Sequence, residues 1–234
     1  MKIKKKIVIF MPSIEGGGVE KNLFIISNFL SEKFKSVNLI TASQNYSHKF
    51  KNINIITPNV SLKNYGRKIK YFFCLYKLFF YLLKNKDIII ISFQANIYCT
   101  LVAKVFNTKI ILRSNSSPSG WSKNFIKKKI FKFVLGLADK IIVNSFEFKK
   151  EFKKEFNLDV TNIYNPLNLK QIKFLSKKKI KLNFFKKKNC LKIINIGRFT
   201  DQKDHLTLLK SINNIKNKKN IKLLIIGYGS NKEK

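Results

Sequence analysis

Ile7-Val8-Ile9-Phe10-Met11-Pro12-Ser13-Ile14-Glu15-Gly16-Gly17-Gly18-Val19-Glu20 reads as a strand, a glycine turn and the start of a helix. The unbroken apolar run fits a strand covered on both faces of a parallel sheet. Glycines at a helix entry leave backbone N–H groups uncovered where an anion can approach. The pattern returns at Ile193-Ile194-Asn195-Ile196-Gly197-Arg198-Phe199-Thr200-Asp201-Gln202-Lys203, now with two cations added. Two such turns predict two α/β domains able to clasp one phosphorylated ligand between them.

Further apolar runs fall at Val37–Ile40, Ile53–Thr57, Ile88–Phe93, Ile110–Leu112, Ile141–Val143 and Leu223–Ile226. Val19, Leu23, Ile26 and Leu30 keep helical spacing between two of them, as do Phe148, Phe152 and Phe156 further on. Strands alternating with helices predict a doubly wound parallel sheet. Residues 1–166 form the expected first Rossmann-like domain, and 167–189, which include a Lys-rich stretch with Phe184-Phe185, the expected linker. Residues 190–234 open a second Rossmann-like domain with one strand–helix–strand unit.

Six of the nine glycines sit at Gly16 to Gly18, at Gly197, and at Gly227 with Gly229. Each cluster follows a predicted strand, at the edge where open α/β sheets collect ligands. Any one cluster also reads as an ordinary helix-entry turn. A dinucleotide fingerprint is excluded: Gly16-Gly17-Gly18-Val19-Glu20-Lys21 lacks the third glycine, and the second strand ends in Ile40-Thr41-Ala42-Ser43 with no acid. No GK[ST] occurs, which excludes a P-loop.

The formal charge is +36, yet only three of the 48 basic residues are Arg, namely Arg67, Arg113 and Arg198, and only four residues are Ala. Such usage of Lys, Ile, Asn and Phe matches an AT-rich coding bias, so the charge attracts polyanions without naming one. Arg supplies a planar fork for phosphate that Lys does not. Arg113 and Arg198, each just after an apolar strand, are the candidates; Arg67 reads equally as an incidental surface residue. Cys74, Cys99 and Cys190 are widely spaced and form no CxxC pair, so neither a zinc site nor a disulfide framework is expected. A reducing cytoplasm fits that usage. No segment reaches the ~20 apolar residues that a spanning helix needs.

The ordered runs Gly16-Gly17-Gly18-Val19-Glu20-Lys21, Asn165-Pro166, Gly197-Arg198-Phe199-Thr200-Asp201-Gln202-Lys203-Asp204 and Ile225-Ile226-Gly227-Tyr228-Gly229-Ser230 resemble the signatures of family 4 retaining glycosyltransferases. Ser114-Asn115 with Pro118, and Asn144-Ser145, resemble the bacterial members that build cell-surface glycans. The resemblance implies a glycosyltransferase B fold with the acceptor on the first domain and a nucleotide-sugar on the second. It implies transfer of a hexose or N-acetylhexosamine, from a UDP-sugar in the first instance, to a lipid-linked or cell-surface glycan, with no metal and no cofactor. Arg198 and Lys203 match the family's cationic pair on the donor diphosphate, and Gly16, Gly17 and Gly18 inherit a place beside it. Glu20, Arg113 and Asn115 fall on the acceptor or sugar side. Glu20 reads equally as a first-turn acid favoured by the helix dipole.

Two departures stand out. Many relatives carry a histidine near the sugar after the strand that here reads Ile110-Ile111-Leu112-Arg113-Ser114-Asn115, so the catalytic residue is open and Arg113 stands closest to that place. His48 and His205 read as surface or capping residues. Relatives also carry a pair of glutamates beyond Lys234, so the chain as given is expected to be a fragment unable to complete turnover.

Two segments bear on membranes. Between Lys63 and Lys86, Lys63, Arg67, Lys70, Lys77 and Lys84 share a narrow stripe while apolar residues cover the rest of the helix. Such a helix is either buried with its stripe to water or laid on lipid. In Ser122–Gly136, Lys123, Lys127, Lys128, Lys129 and Lys132 oppose Ile126, Ile130, Phe133 and Val134. That segment either rests on anionic lipid or packs on the sheet with a solvated face. The expected location is cytoplasmic, peripheral on the inner face of the membrane. The alternative reading is a basic module binding nucleic acid or anionic membrane without catalysis; no specific nucleic acid is expected, because no recognised motif or exposed stacking platform occurs.

Overall fold

A computed structural model describes residues 1–121, 124–186, 189–215, 220–229 and 231. Ser122 and Lys123 of the basic segment, Lys187 and Lys188 of the predicted linker, and Ser230 of the Gly227-Tyr228-Gly229-Ser230 run lie outside the described residues.

The chain forms two compact units, Met1–Asn168 and Leu169–Lys234. In the first, strands β1 (Ile3–Phe10), β2 (Phe34–Ile40), β3 (Asn54–Ile56), β4 (Ile88–Ser92), β5 (Lys109–Ser114), β6 (Lys140–Val143) and β7 (Thr161–Asn162) build one sheet in the order β3-β2-β1-β4-β5-β6-β7. All six pairings are parallel. The chain reverses its direction across the sheet between β1 and β4, the switch point beside which open α/β sheets bind ligands.

Strand parity sorts the core into two layers. Val8, Phe10, Ile90, Ile110, Leu112 and Val143 point to one face. Helices α2 (Arg67–Lys84), α3 (Asn96–Val105), α4 (Phe125–Gly136) and α5 (Phe146–Phe156) cover it, each packed on the next. Ile7, Ile9, Met11, Val37 and Leu39 point to the other face, under α1 (Gly18–Lys33). Cys74 on α2 and Cys99 on α3 lie wholly inside the first layer, and burial pushes both thiols up to about 12. They therefore serve as small apolar residues.

The outer helices depart from a simple inside–outside reading. α2 buries Cys74, Leu78 and Leu82 yet turns Phe72, Tyr76 and Leu83 outward. α4 likewise buries Val134 and Leu135 while Ile126, Ile130 and Phe133 are exposed. The apolar set of each helix divides in two, because one sheet face accommodates only one stripe of each helix. Strand β7 has no apolar run; it exists through its backbone pairing with β6 alone.

The second unit holds α6 (Leu169–Ser176) and α7 (Asn183–Lys186), both inside the stretch read as linker, followed by β8 (Leu191–Ile196), α8 (His205–Asn213) and β9 (Ile221–Ile226). β8 and β9 pair in parallel without a register shift. No residue of β8, α8 or β9 is buried.

Candidate functional site

The turn between β1 and α1 is held by protein on one side and open on the other. Ser13 N donates to Gln94 Oε1 at 3.0 Å, Ile14 N to Ser43 Oγ at 3.0 Å, and Glu15 N to Glu20 Oε1 at 3.3 Å. The next three amides, of Gly16, Gly17 and Gly18, donate to no protein group among the described residues. Gly17 is the helix N-cap and provides no side chain to fill the role. Three consecutive free donors at a helix start make an anion cradle.

Gly16 is required by its backbone. Its φ is +84°, and an added Cβ would press on the Tyr46 hydroxyl at 2.7 Å. Glu20 is buried, and its carboxylate folds back onto the turn to accept the Glu15 amide. The residue expected on the acceptor or sugar side thus fixes the cradle's shape.

A second brace comes from a residue the sequence left ambiguous. Arg67, at the start of α2, grips Glu15 with two donors; Nε reaches Oε1 at 2.7 Å and an Nη reaches Oε2. Arg67 holds the Glu15 carboxyl below its ordinary 4.5 against the opposing effect of burial. A depressed carboxylate contributes order that is fully present above the ordinary value and disappears as pH falls through the lowered one. Glu15→Gln should therefore speed amide exchange at Ser13, Ile14 and Glu15, the bonded amides of the turn, at neutral pH. Wild-type exchange, corrected for its intrinsic pH dependence, should converge on the variant's only well below pH 4.5. Equal protection of wild type and variant at neutral pH would show that the pair does not hold the turn.

Beside the cradle, Ile14, Ser43, Tyr46, Asn59, Lys63 and Lys70 line an open cleft of about 440 Å³. It lies past the C-terminal ends of β2 and β3.

Arg113 and Asn115 lie at the C-terminal end of β5, two strands from β1 in the sheet. Arg113 is buried, and its Nη2 donates to Asn165 Oδ1 at 2.8 Å and to the Ile163 carbonyl at 3.4 Å. Burial with no carboxylate bonded to it pushes its guanidinium below the ordinary value. Among the described residues its Nε and the buried Oδ1 atoms of Asn115 and Asn144 have no partner, so this edge retains unused polar capacity. The guanidinium ties the segment after β7 to β5, a tie invisible in sequence because its partners lie some fifty positions away.

In the second unit Arg198 and Lys203 are exposed on the turn after β8. An added Cβ at Gly197 would touch the Lys203 chain at 3.5 Å, so that aliphatic stem lies across the turn. The turn is stitched to the one after β9: Gly197 N donates to the Ile226 carbonyl at 3.0 Å and Phe199 N to the Tyr228 carbonyl at 2.8 Å. Asp204 caps α8, its Oδ1 accepting Thr207 N at 3.3 Å. His205, expected at the surface, is half-buried edge-on to Phe199 with ring centroids 5.1 Å apart. Its Nε2 and the Thr200 hydroxyl are buried without partners among the described residues. The turn therefore presents two cations above two unsatisfied polar atoms.

No family model matches the chain. An uncharacterized glycosyltransferase of Methanocaldococcus jannaschii is 34% identical over 149 residues, covering 57% of this chain and 36% of that protein. The chain thus spans about a third of that relative's length. Among solved structures, Anabaena HepE in complex with UDP-glucose superposes with a TM-score of 0.66 at 13% identity, over 96% of this chain and 61% of that one. A glycosyltransferase from Rickettsia africae gives a TM-score of 0.61 at 17% identity, over 97% and 69%. A putative UDP-N-acetylglucosamine 2-epimerase from Listeria monocytogenes gives 0.59 at 11% identity, over 95% and 62%. Likeness at such identities speaks to architecture: the chain has the glycosyltransferase B type of fold, with a Rossmann-like unit and a unit containing a strand–helix–strand element.

Proposed function

We propose that this chain belongs to a retaining, metal-independent glycosyltransferase of the family 4 type. It moves a hexose or N-acetylhexosamine from a nucleotide-sugar, a UDP-sugar in the first instance, to a lipid-linked or cell-surface glycan. The observation that carries the reading is the pairing of chemistries: three unused amides at the start of α1, and Arg198 with Lys203 exposed on a glycine turn of the second unit. Both suit a diphosphate. A departing nucleoside diphosphate gains negative charge in the transition state, and fixed cations and amide dipoles stabilise that charge without reorganising. The archaeal relative is called a glycosyltransferase, and HepE was solved with UDP and with UDP-glucose, which supports that donor class. Arg198 and Lys203 in the second unit, and Gly16, Gly17 and Gly18 in the first, are the groups proposed to bind diphosphate. Glu20, Arg113 and Asn115 would shape the acceptor or sugar side, the first two through the backbone they hold. No other cofactor is required. The protein would work peripherally at the cytoplasmic face of the membrane; no helix among the described residues is long and apolar enough to cross it.

Calorimetric titration with UDP, in the presence of EDTA and in parallel with a single-stranded RNA, tests the reading against a basic binding module. Saturable UDP binding that EDTA leaves unchanged is expected. RNA binding that falls steeply with salt, alongside no UDP binding, would replace the enzyme with the module.

A further inference from the structure

The outward faces of α2, α3 and α4 are apolar although each helix has already supplied the core. On α2, Ile69, Phe72, Tyr76, Phe80 and Leu83 recur at three- and four-residue steps and are 40–66% exposed. Cys74, Leu78 and Leu82 occupy the opposite side and are buried. On α3, Tyr98, Leu101 and Val105 face out while Cys99 and Ala103 face in. On α4, Phe125, Ile126, Ile130 and Phe133 are 51–68% exposed. The three helices are neighbours on one sheet face, so three outward apolar stripes lie side by side. An exposed apolar surface of that breadth marks an interaction site.

Coding bias does not account for it. α5 lies next to α4 on the same layer and is equally rich in Phe and Lys, yet of its four Phe only Phe146, in the first turn with Lys150 over its ring, is exposed, while Phe152 and Phe156 turn inward and Lys149, Lys153 and Lys154 face solvent. A repeated outward apolar stripe is present on α2, α3 and α4, whereas α1 and α5 have single exposed Phe residues, Phe29 and Phe146.

Charge identifies the occupant. α2, α3 and α4 contain no Asp or Glu. Lys70, Lys77 and Lys84 follow one another at seven-residue steps along the flank of the α2 stripe, and α4 adds Lys127, Lys129 and Lys132. Lys129 lies over the Phe125 ring, 4.6 Å from its centroid, so cation and aromatic occupy one surface. Aromatic side chains bordered by lysines, on helices lacking acids, match the interface of an anionic bilayer. At the N-terminal end of α2, Val60, Leu62, Tyr65, Lys68, Ile69 and Phe72 line an open groove of about 700 Å³. Val60 and Leu62 also wall the polar cleft beside the glycine turn, so the apolar surface runs up to the candidate site.

We propose that the outward face of α2, α3 and α4 seats the first unit on an anionic phospholipid bilayer. This names the surface behind the membrane part of the proposed function, and it stands or falls separately from the donor site. The test is co-sedimentation with phosphatidylcholine vesicles with and without phosphatidylglycerol. One variant carries Phe72→Ser, Tyr76→Ser and Phe80→Ser; a second carries Ile126→Ser and Phe133→Ser. A control carries Lys149→Gln, Lys150→Gln and Lys153→Gln on α5. All the substituted side chains are exposed, so the fold should persist, which circular dichroism checks. Wild type and control should pellet with the phosphatidylglycerol vesicles only, and each serine variant should partition about tenfold less. Serine variants that bind as wild type does, or an α5 control that loses as much, would reduce the attraction to dispersed charge and overturn the proposal. So would a wild type that ignores vesicles and self-associates through the same residues. UDP titration of the same samples reports on the donor reading alone.

Discussion

Gly227→Ala should disconnect the turn after β9 from the turn after β8 and remove nucleotide binding with it. A Cβ at Gly227 would fall inside the Gly197 carbonyl oxygen, a backbone atom with no rotamer to escape through. The two turns approach this closely because Gly197 N and Phe199 N donate across them to Ile226 and Tyr228. Gly229 continues the same seam: its φ is +154°, and an added Cβ would lie 2.8 Å from Phe199 N. Forcing the turns apart costs about 1–3 kcal/mol by the measure of overpacked sites. The second unit has little to offset that, since β8, α8 and β9 bury no residue among those described. We expect amide protection in 191–199 and 221–228 to fall sharply while that of β1 and β4 is unchanged. Gly120→Ala, where an added Cβ meets nothing within 4 Å, is the matched control. Protection equal to wild type in the Gly227 variant would mean that the two turns are not locked by close approach.

Gly227 and Gly229 also show where sequence reasoning succeeds and where it stops. As members of a glycine cluster after a strand they read as ligand-facing, whereas their immediate constraint is a neighbouring backbone. The signal for that is absent from any local window, because Gly197 lies thirty positions away. The strands were legible for the opposite reason. Ile7 to Phe10 and Ile88 to Ile91 carry their burial in their own composition, and β1 is covered on both faces. β7 was not legible: Thr161 and Asn162 pair through backbone groups that every residue has. For α2, the sequence established an apolar girth without saying which stripe the sheet would take. With Ile, Leu and Phe on nearly every side, only the packing of Cys74, Leu78 and Leu82 decides it.

The glycine turn divides in the same way. Gly16 to Gly18 announced free amides, and the structure leaves those three without protein partners. The braces around them were hidden: Arg67 reaches Glu15 across fifty-two positions, and Gln94 reaches Ser13 across eighty-one. Among three Arg in a chain of 48 basic residues, Arg67 and Arg113 therefore have visible protein partners, bonding Glu15 and Asn165. Arg198 is exposed and its side chain bonds no protein group among the described residues, on the turn where two buried polar atoms lack partners there.

That distribution sets the outcome of substituting Arg198. Arg198→Ala should weaken UDP binding by about 2–3 kcal/mol, the usual loss of a charge-assisted hydrogen-bonding partner. At about 1.4 kcal/mol per factor of ten, the dissociation constant rises roughly thirtyfold to more than a hundredfold. Arg198→Lys separates charge from geometry. It keeps the cation but replaces the planar fork with a single ammonium, so an intermediate loss is expected if the diphosphate is gripped in two places. Full recovery with Lys would assign Arg198 a purely electrostatic role, and affinity unchanged in the Ala variant would remove it from the site. Because Arg198 is exposed and caps no helix, neither substitution should alter amide protection in β8 and β9. Weakened UDP binding with that protection intact is therefore the signature of a lost ligand contact, distinct from the loosened turns expected of Gly227→Ala.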